Sequence, residues 1–288
     1  MKKIIVLLLA LVLLAACLMG CGKSGSSASP GNAETETGSK ATPAPTSAPT
    51  PAPARTFTVG FDAEFPPFGF IAENGSYDGF DLAVAEEVCK RLGWTFKAQP
   101  IDWAAKDSEL SSGTIDCIWN GFTYEGREND YAWTPSYYNS SVIVVVKADS
   151  DINSLADLAG KKVITQAGSS AISALEENTE LSSTFDELLE SADFNNCFLE
   201  LGMGSVDAVA ADYGTAMYNI GDKASDYRIL DEKISVETYA IGFLKGNDAL
   251  AKEVWAAVEK IAKDGTMAKI ADKYVEYGLV KESVTLIG

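Results

Sequence analysis

Apolar and polar residues alternate with two different periods after residue 55. Apolar residues at positions 82, 85, 88, 89 and 92 have the spacing of one helical face, and Gly93 follows them. This pattern predicts a helix over residues 81–92. Short β-branched or aromatic runs at residues 56–61 and 94–100 predict a strand on either side of it. The order strand, helix, strand is typical of an α/β domain.

The same alternation continues to the end of the chain. Residues 114–121 and 140–148 are predicted strands, and residues 158–178 and 205–221 each contain a predicted strand, a loop and a helix. Residues 237–246 predict one further strand, and residues 247–275 predict two amphipathic helices. Strands that alternate with helices predict parallel sheets covered on both faces.

The first residues differ from this pattern. Two lysines precede an apolar run over residues 4–19, and small residues precede Cys17 in LAAC and Cys21 in LMGC. A charged start, a short apolar stretch and small residues at a cleavage site are typical of export signals. The segment resembles a bacterial lipoprotein signal, with residues 1–20 removed and Cys21, or alternatively Cys17, carrying lipid. A membrane-spanning helix is the alternative, but the run is at the short end of the roughly 17–25 residues required.

A polar segment follows the signal. Six of the ten prolines lie between Pro30 and Pro53, among Ser, Gly, Ala and Thr. Such a composition buries too little apolar surface to offset the entropy of ordering, so residues 21–55 are predicted to be a disordered linker. Residues 56–288 are long enough for two lobes, because one core typically takes about 100–200 residues.

Charge and composition exclude several functions. The chain has 23 basic and 41 acidic residues, a net charge of −18 that becomes −20 without Lys2 and Lys3. This excess of acid argues against nucleic acid as a partner and against binding to anionic lipid through the protein surface. Histidine is absent, which removes the commonest general base and transition-metal ligand. Beyond the signal, Cys89, Cys117 and Cys197 lack metal-type spacing and are predicted to be buried free thiols.

Candidate binding residues cluster in the loops that follow predicted strands, where open α/β sheets bind ligands. Arg127 and the start of the helix after Gly168 suit a carboxylate, whereas Asp212 suits an ammonium. Together they describe the recognition of an amino-acid zwitterion. The candidates are Asp62, Phe65 and Phe68 in the first loop, Trp119, Asn120, Thr123 and Arg127 in the second, Gln166, Ser169 and Ser170 in the third, and Asp212 in the fourth.

Each candidate also has a structural alternative. Arg127 lies in a charged loop, where a solvated or ion-paired arginine is common. Ser169, Ser170 and Asp212 stand at predicted helix starts, where such side chains usually cap the helix. The aromatic rings are of the type that normally fills a core.

Six ordered segments carry a family resemblance: VGFDAEFPPFGF, GSYDGFDLAVAEEV, residues 111–146, LAGKKVITQAGSSAISAL, SVDAVAADYGTAMY and YAIGFLKGNDAL. They are similar to bacterial extracellular solute-binding proteins of polar amino-acid ABC importers. The resemblance implies a two-lobed α/β fold of the periplasmic-binding-protein type, with mainly parallel sheets and a ligand cleft between the lobes. Residues 56–146 plus 240–288 form the expected first lobe and residues 147–239 the second, with crossings near 147–150 and 234–239.

The resemblance also implies roles for the candidates. Arg127, Thr123 and the loop of Ser169 and Ser170 hold the ligand carboxylate, and Asp212 holds its ammonium with backbone near Gly121. The ligand side chain is flanked by Phe65 and Trp119 and meets Asp62 and Gln166. The Thr123-to-Arg127 spacing is one residue shorter than the commoner family spacing.

The function expected from these roles is that of a receptor. A monomer, anchored by lipid to the outer face of the cell membrane, captures a polar or cationic amino acid by hinge closure and delivers it to an ABC permease. No catalytic residue, cofactor or metal is expected. Glutamine and cystine also fit, whereas Asp62 disfavours an acidic side chain. The alternatives are an enzyme of dehydratase or lytic type on the same fold, and a sensory ligand-binding protein.

Overall fold

The structure is a computed structural model that describes residues 55–287. The predicted signal peptide, the linker before residue 55 and the candidate lipid sites Cys17 and Cys21 lie outside the described residues. Within the described part, no helix has both the length and the apolar character needed to cross a bilayer.

Residues 55–287 form strands and helices in an alternating order. The strands are β1 Thr56–Phe61, β2 Glu64–Phe65, β3 Gly69–Ile71, β4 Tyr77–Asp78, β5 Thr95–Pro100, β6 Cys117–Ile118, β7 Tyr131–Trp133, β8 Tyr138–Lys147, β9 Lys162–Gln166, β10 Glu187–Ser191, β11 Ala208–Asp212, β12 Tyr227–Ile229, β13 Ser235–Tyr239 and β14 Gly242–Leu244. The helices are α1 Phe80–Leu92, α2 Lys106–Ser111, α3 Ser170–Glu177, α4 Thr179–Ser182, α5 Phe194–Met203, α6 Tyr213–Ile220, α7 Asp248–Lys263 and α8 Thr266–Ala271.

Two larger sheets organise the fold. The first has the order β5-β1-β6-β14-β7, and the second has the order β10-β9-β11-β8-β12, with β13 also paired to β8. Strands β1, β5 and β6 are parallel, as are β9, β10 and β11. Strand β14 runs antiparallel to β6 and β7, and β8 runs antiparallel to β11, β12 and β13. The sheets are therefore mixed, and the prediction of parallel sheets holds only for their parallel halves.

Strand β8 is ten residues long and wholly apolar from Val142 to Val146. Its position in the second sheet explains this composition. Its side chains alternate between the two faces of the second sheet. Ile143 and Val145 lie in one buried cluster, whereas Val142, Val144 and Val146 lie in another. Both faces are covered, so both sets of positions are apolar.

The predicted elements are largely confirmed. Helix α1 covers residues 80–92 and ends at Gly93, whose φ of 69° is left-handed, a conformation that glycine adopts without strain. The two helices predicted after residue 247 are α7 and α8. Cys89, Cys117 and Cys197 are free and buried, as expected.

Residues 237–246 do not form the single strand that was predicted. They contain the end of β13 and all of β14, which belong to different sheets. Ala240 and Ile241 join the two strands and are themselves buried. The apolar run is unbroken because the chain stays in the core while it passes from one sheet to the other.

The first crossing between the sheets also differs from the expected position near residues 147–150. Strand β7 ends in the first sheet at Trp133, and all of β8 from Tyr138 belongs to the second. The first crossing is therefore residues 134–137, and residues 138–146 belong with the second sheet. The reason is that β8 continues through its apolar run as a paired strand, so the chain has already changed sheets before that run begins.

The two crossings lie side by side. The Tyr137 amide donates to the Tyr239 carbonyl at 2.9 Å, and the Thr134 amide donates to the Ile241 carbonyl at 3.1 Å. The Ile241 amide in turn donates to the Thr134 hydroxyl oxygen at 3.0 Å. The connection between the sheets is thus a short hydrogen-bonded ribbon.

Candidate functional site

Arg127 lies in the turn after β6 and reaches from the first sheet to the second. Its guanidinium donates to the Thr123 carbonyl at 3.2 Å and to the Gly168 carbonyl at 3.4 Å. Gly168 belongs to the loop between β9 and α3. Among residues 55–287 Arg127 forms no salt bridge within 4.0 Å, so its positive charge is not neutralised by a carboxylate in direct contact.

A cavity of ≈180 Å³ lies beside this arginine. Residues that follow or belong to strands of both sheets line it, among them Thr123 and Arg127 after β6, Ser170 at the start of α3 and Glu237 in β13. Three of these four residues were predicted site residues. The short spacing between Thr123 and Arg127 does not remove the guanidinium from the cavity.

Asp212 lies next to the cavity residues but does not cap helix α6 as the structural alternative supposed. It occupies the cap position without a side-chain capping bond. Its Oδ1 instead accepts from the Tyr239 hydroxyl at 2.6 Å, and the residue is only 2 % exposed. Tyr239 is in β13, so the end of β11 and the crossing ribbon meet at this carboxylate.

Glu237, two residues before Tyr239, is a site residue that the sequence reasoning missed. It is 4 % exposed, and its Oε2 accepts from the Thr123 hydroxyl at 2.9 Å. Burial raises the pKa of Glu237 well above its usual range, and the charge of Asp212 raises it further. Two buried acids therefore lie together: Glu237 at the wall of the cavity that Arg127 also lines, and Asp212 beside Glu237.

Asp62 and Gln166 join the two sheets at a second point. The Gln166 side-chain amide donates to Asp62 Oδ2 at 2.5 Å, while the Glu64 backbone amide donates to Oδ1 at 2.8 Å. Burial is the main cause that raises the pKa of Asp62 to about 6. The two predicted partners of the ligand side chain are thus in direct contact with each other.

The predicted aromatic residues are buried rather than displayed on a loop. Phe65 is in β2 and contacts Phe194 of α5, with ring centroids 5.9 Å apart. Phe68 meets Tyr239 edge to face at 5.1 Å, and Trp119 is 1 % exposed. Phe65 and Phe68 also stack on each other, and Trp119 contacts Tyr137 of the first crossing. These rings therefore lie in the packed region where the two sheets meet.

Asn120 and Gly121 shape the second loop. The Asn120 side-chain oxygen accepts from the Asp62 amide at 3.0 Å, and its buried side-chain nitrogen has no hydrogen-bond partner among the described residues. The Gly121 amide donates to Asp81 at 2.6 Å. Gly121 has a φ of +54°, and a Cβ there would lie 2.7 Å from the Phe65 ring. This position therefore needs glycine for both conformation and space.

The two serines of the third loop have different roles. Ser169 caps helix α3: its hydroxyl accepts from the Ile172 amide at 3.2 Å and donates to the Gln166 carbonyl at 2.7 Å. The structural alternative is therefore correct for Ser169, whose hydroxyl proton is already in use. Ser170 lines the cavity.

Lys106, at the start of α2, is a second residue that the sequence reasoning missed. It is 6 % exposed, and its ammonium donates to the Gly168 carbonyl at 3.3 Å, the same oxygen that Arg127 approaches. Burial lowers the pKa of Lys106, and the neighbouring charge of Arg127 lowers it further. Two cations thus converge on one carbonyl oxygen near the start of α3.

Comparison with known proteins identifies the family of the chain. Residues 57–277 match the family model described as bacterial extracellular solute-binding proteins, family 3. The chain belongs to this family. Its members are substrate-binding transport proteins, so the prediction of a binding protein rather than an enzyme is confirmed.

Two relatives are similar in sequence to this chain. The L-cystine-binding protein TcyJ of Escherichia coli (strain K12) is 27% identical over 224 residues, covering 76% of this chain and 82% of the relative. The ABC transporter glutamine-binding protein GlnH of Bacillus subtilis (strain 168) is 29% identical over 286 residues, covering 96% and 98%.

Two solved structures of this kind contain an amino acid. An ABC uptake transporter substrate-binding protein from Streptococcus pneumoniae with bound histidine has a TM-score of 0.74 and 33% identity, covering 78% of this chain and 94% of its own. An ancestral arginine-binding protein bound to arginine has a TM-score of 0.71 and 35% identity, covering 76% and 97%. The predicted two-lobed α/β fold class is confirmed.

Proposed function

We propose that the protein captures a free polar or cationic amino acid between two lobes and delivers it to an ABC permease. The observation that supports this most directly is the cavity lined by both Arg127 and Ser170, because Arg127 follows strand β6 of the first sheet and Ser170 follows strand β9 of the second. A ligand that contacts both brings the sheets together. The first lobe comprises residues 56–133 and 242–287, and the second comprises residues 138–239.

The zwitterion of the ligand defines the polar contacts. Arg127, with Thr123 and Ser170, holds the carboxylate, since a guanidinium donates two parallel hydrogen bonds to it. Lys106 adds positive charge near the same point. Asp212 accepts from the ammonium. Ser169 contributes by fixing the start of helix α3, because its own hydroxyl proton is already donated to Gln166.

The ligand side chain extends toward Asp62 and Gln166 and is flanked by Phe65 and Trp119. An acidic residue and aromatic rings suit a cationic side chain through charge pairing and cation–π contact, which contributes about 0.5–2 kcal/mol. The solved relatives with bound arginine or histidine support this class. The glutamine-binding and cystine-binding relatives support a neutral polar side chain as the other choice.

Capture works through closure about the crossing ribbon. The ligand makes contacts with both lobes only when the cleft is shut, so its binding favours the closed state by the free energy of those additional contacts. A permease that recognises the relative position of the lobes then distinguishes loaded from empty protein. Export and lipid attachment at Cys21, or alternatively Cys17, keep this monomeric receptor beside its permease on the outer face of the membrane.

The test is ligand retention followed by calorimetry. The purified protein is incubated with the twenty amino acids, and mass spectrometry identifies the one retained. Arg127→Ala is expected to weaken its binding about 100-fold or more, because the ligand carboxylate loses its charged partner. The cooperative melting curve is expected to persist.

Arg91→Ala is the matched control. Arg91 contacts Glu87 and Asp264 at the surface, so its loss removes an arginine without touching the cavity. Affinity is expected to match wild type. Binding by Arg127→Ala as strong as that of the control would remove Arg127 from the site, and a failure of wild type to retain any amino acid would contradict the proposed function itself.

A further inference from the structure

The two acids Asp212 and Glu237 lie near the same hydrogen-bond donor, the Tyr239 hydroxyl. The Tyr239 hydroxyl lies 2.6 Å from Asp212 Oδ1 and 3.4 Å from Glu237 Oε1. Its single proton is directed to Asp212 Oδ1, because that contact is the shortest of the three; the remaining contact is with the Ser140 hydroxyl at 2.8 Å. Oε1 of Glu237 therefore has only a long, weak contact with this donor.

Two ionised carboxylates at such close quarters repel each other, and burial adds to the cost of both charges. One proton held by the pair removes that repulsion, as in other carboxylate pairs. Burial and the charge of Asp212 both raise the pKa of Glu237. The proton of the pair is therefore held by Glu237, while Asp212 accepts the hydrogen bond of Tyr239.

Other groups around Glu237 do not neutralise it. Thr123 donates one hydroxyl proton to Oε2, and Ser170 stands on the facing helix α3. Arg127, Glu125 and Glu177 line the same cavity. Glu125 is held by the Thr238 amide and hydroxyl, both at 2.8 Å, and Arg127 donates to carbonyl oxygens. The pair thus lacks a cation in direct contact among the described residues.

We propose that Glu237 is a second acceptor for the ligand ammonium, and that amino-acid binding expels one proton from the Asp212–Glu237 pair. An ammonium carries three donors and one positive charge, so it satisfies both carboxylates once Glu237 has ionised. This inference rests on the proposed function and deepens it. The proton leaves Glu237 Oε1 for solvent, and the charge of the ligand takes its place.

The consequence is a dependence of affinity on pH. Below the pKa of Glu237 in the free protein, each binding event releases a proton, so the association constant rises by up to about tenfold per pH unit. Above that pKa no proton is left to release, and the affinity becomes constant. A site that used Asp212 alone would not show this rise.

The experiment is titration calorimetry with L-arginine, L-histidine, L-glutamine and L-cystine, in phosphate and in Tris at the same pH. These buffers differ in ionisation enthalpy, so the difference in heat counts the protons released. Wild type is expected to release up to one proton per amino acid bound, and this release is expected to fall to zero as the pH rises through the pKa of Glu237 in the free protein. Glu237→Gln is expected to release almost none and to lose about tenfold in affinity or more at high pH, whereas Glu237→Asp restores release.

Asp81→Asn is the matched control, because burial also raises the pKa of Asp81, to about 7, and this acid does not line the cavity. Release that persists in Asp81→Asn but disappears in Glu237→Gln supports the proposal. Equal release in wild type and Glu237→Gln, or an affinity independent of pH, overturns it while leaving amino-acid capture intact. If none of the four amino acids binds to wild type, the proposed function fails and this inference fails with it.

Infrared difference spectra give a readout that does not depend on calorimetry. Loading wild type with the bound amino acid is expected to remove a protonated-carboxyl band, and Glu237→Gln is expected to lack that band before loading. A band that remains unchanged on loading contradicts proton release.

Discussion

Asp81 and Asp212 are two buried aspartates with the same partner chemistry and different surroundings. Each accepts a hydrogen bond from a tyrosine hydroxyl at 2.6 Å, from Tyr137 and Tyr239 respectively. Asp81 also accepts from the Gly121 amide at 2.6 Å, and it lies inside the first lobe at the start of α1. Asp212 instead has Glu237 and the cavity beside it. Burial and a tyrosine partner are therefore common to both aspartates, and the neighbouring acid at the cavity wall is what distinguishes Asp212, the proposed binding acid.

The test with the largest expected effect makes the same substitution at both aspartates and measures the affinity for the amino acid. Asp212→Asn is expected to weaken amino-acid binding by about 100-fold or more, because a charged partner of the ammonium is lost. Its stability is expected to be kept, because the side-chain oxygen of asparagine still accepts from the Tyr239 hydroxyl. Asp81→Asn is expected to bind far closer to wild type. Titration calorimetry on both variants measures the difference, and equal losses of affinity would break the contrast.

The second test measures how Asp81 changes the pH dependence of the free energy of unfolding. Burial raises its pKa from 3.8 to about 7, so the folded protein favours the protonated acid. The contribution of Asp81 to stability is then greatest below its unfolded pKa of 3.8. It falls as the pH rises from 3.8 towards about 7 and is constant at higher pH.

Asp81→Asn removes this contribution. Between about pH 4 and pH 8, the free energy of unfolding of the variant is expected to rise relative to that of wild type, by on the order of 1–3 kcal/mol. Urea midpoints of both proteins across this range measure the gain. Asp62 and Glu237 also have raised pKa values but are common to both proteins, so the difference between the two curves isolates Asp81. Parallel curves would contradict the assignment.

The smallest test removes the two tyrosine hydroxyls. Tyr137→Phe leaves Asp81 with one donor and is expected to lower the free energy of unfolding by about 1 kcal/mol with little effect on affinity. Tyr239→Phe is expected to change affinity several-fold, because the orientation of the Asp212 carboxylate is lost. Melting curves and calorimetry on the pair measure both effects. A pair of variants with the same profile would show that the two tyrosines have equivalent roles.

Much of this molecule was predictable from its sequence because strong patterns carried the information. Helix α1 followed from its apolar spacing and Gly93, and Arg127, Thr123 and Ser170 followed from their loops after strands. The sheet order did not follow, because a run such as that of β8 is apolar on both faces whichever sheet contains it. The crossing at residues 134–137 was misplaced for the same reason.

Glu237 and Lys106 were missed because they lie in regular elements rather than loops. Both nevertheless left a signal. Glu237 and Tyr239 occupy alternate, inward positions of β13, whose burial pattern places them together on the buried face. Lys106 follows Trp103 by three residues and precedes Leu110 by four, which places a lysine on an otherwise apolar face. A charged residue on a buried face is a stronger indication of a site than a charged residue in a loop.

The crossing ribbon has one further consequence. Tyr239 is the last residue of β13, and the chain passes into the ribbon at Ala240. Glu237 lies two residues before Tyr239, and Asp212 is hydrogen-bonded to the Tyr239 hydroxyl, so both acids lie beside the connection between the lobes. Groups close to a pivot travel little when lobes swing. In the proposed receptor, the amine end of a guest would thus meet a nearly stationary anchor.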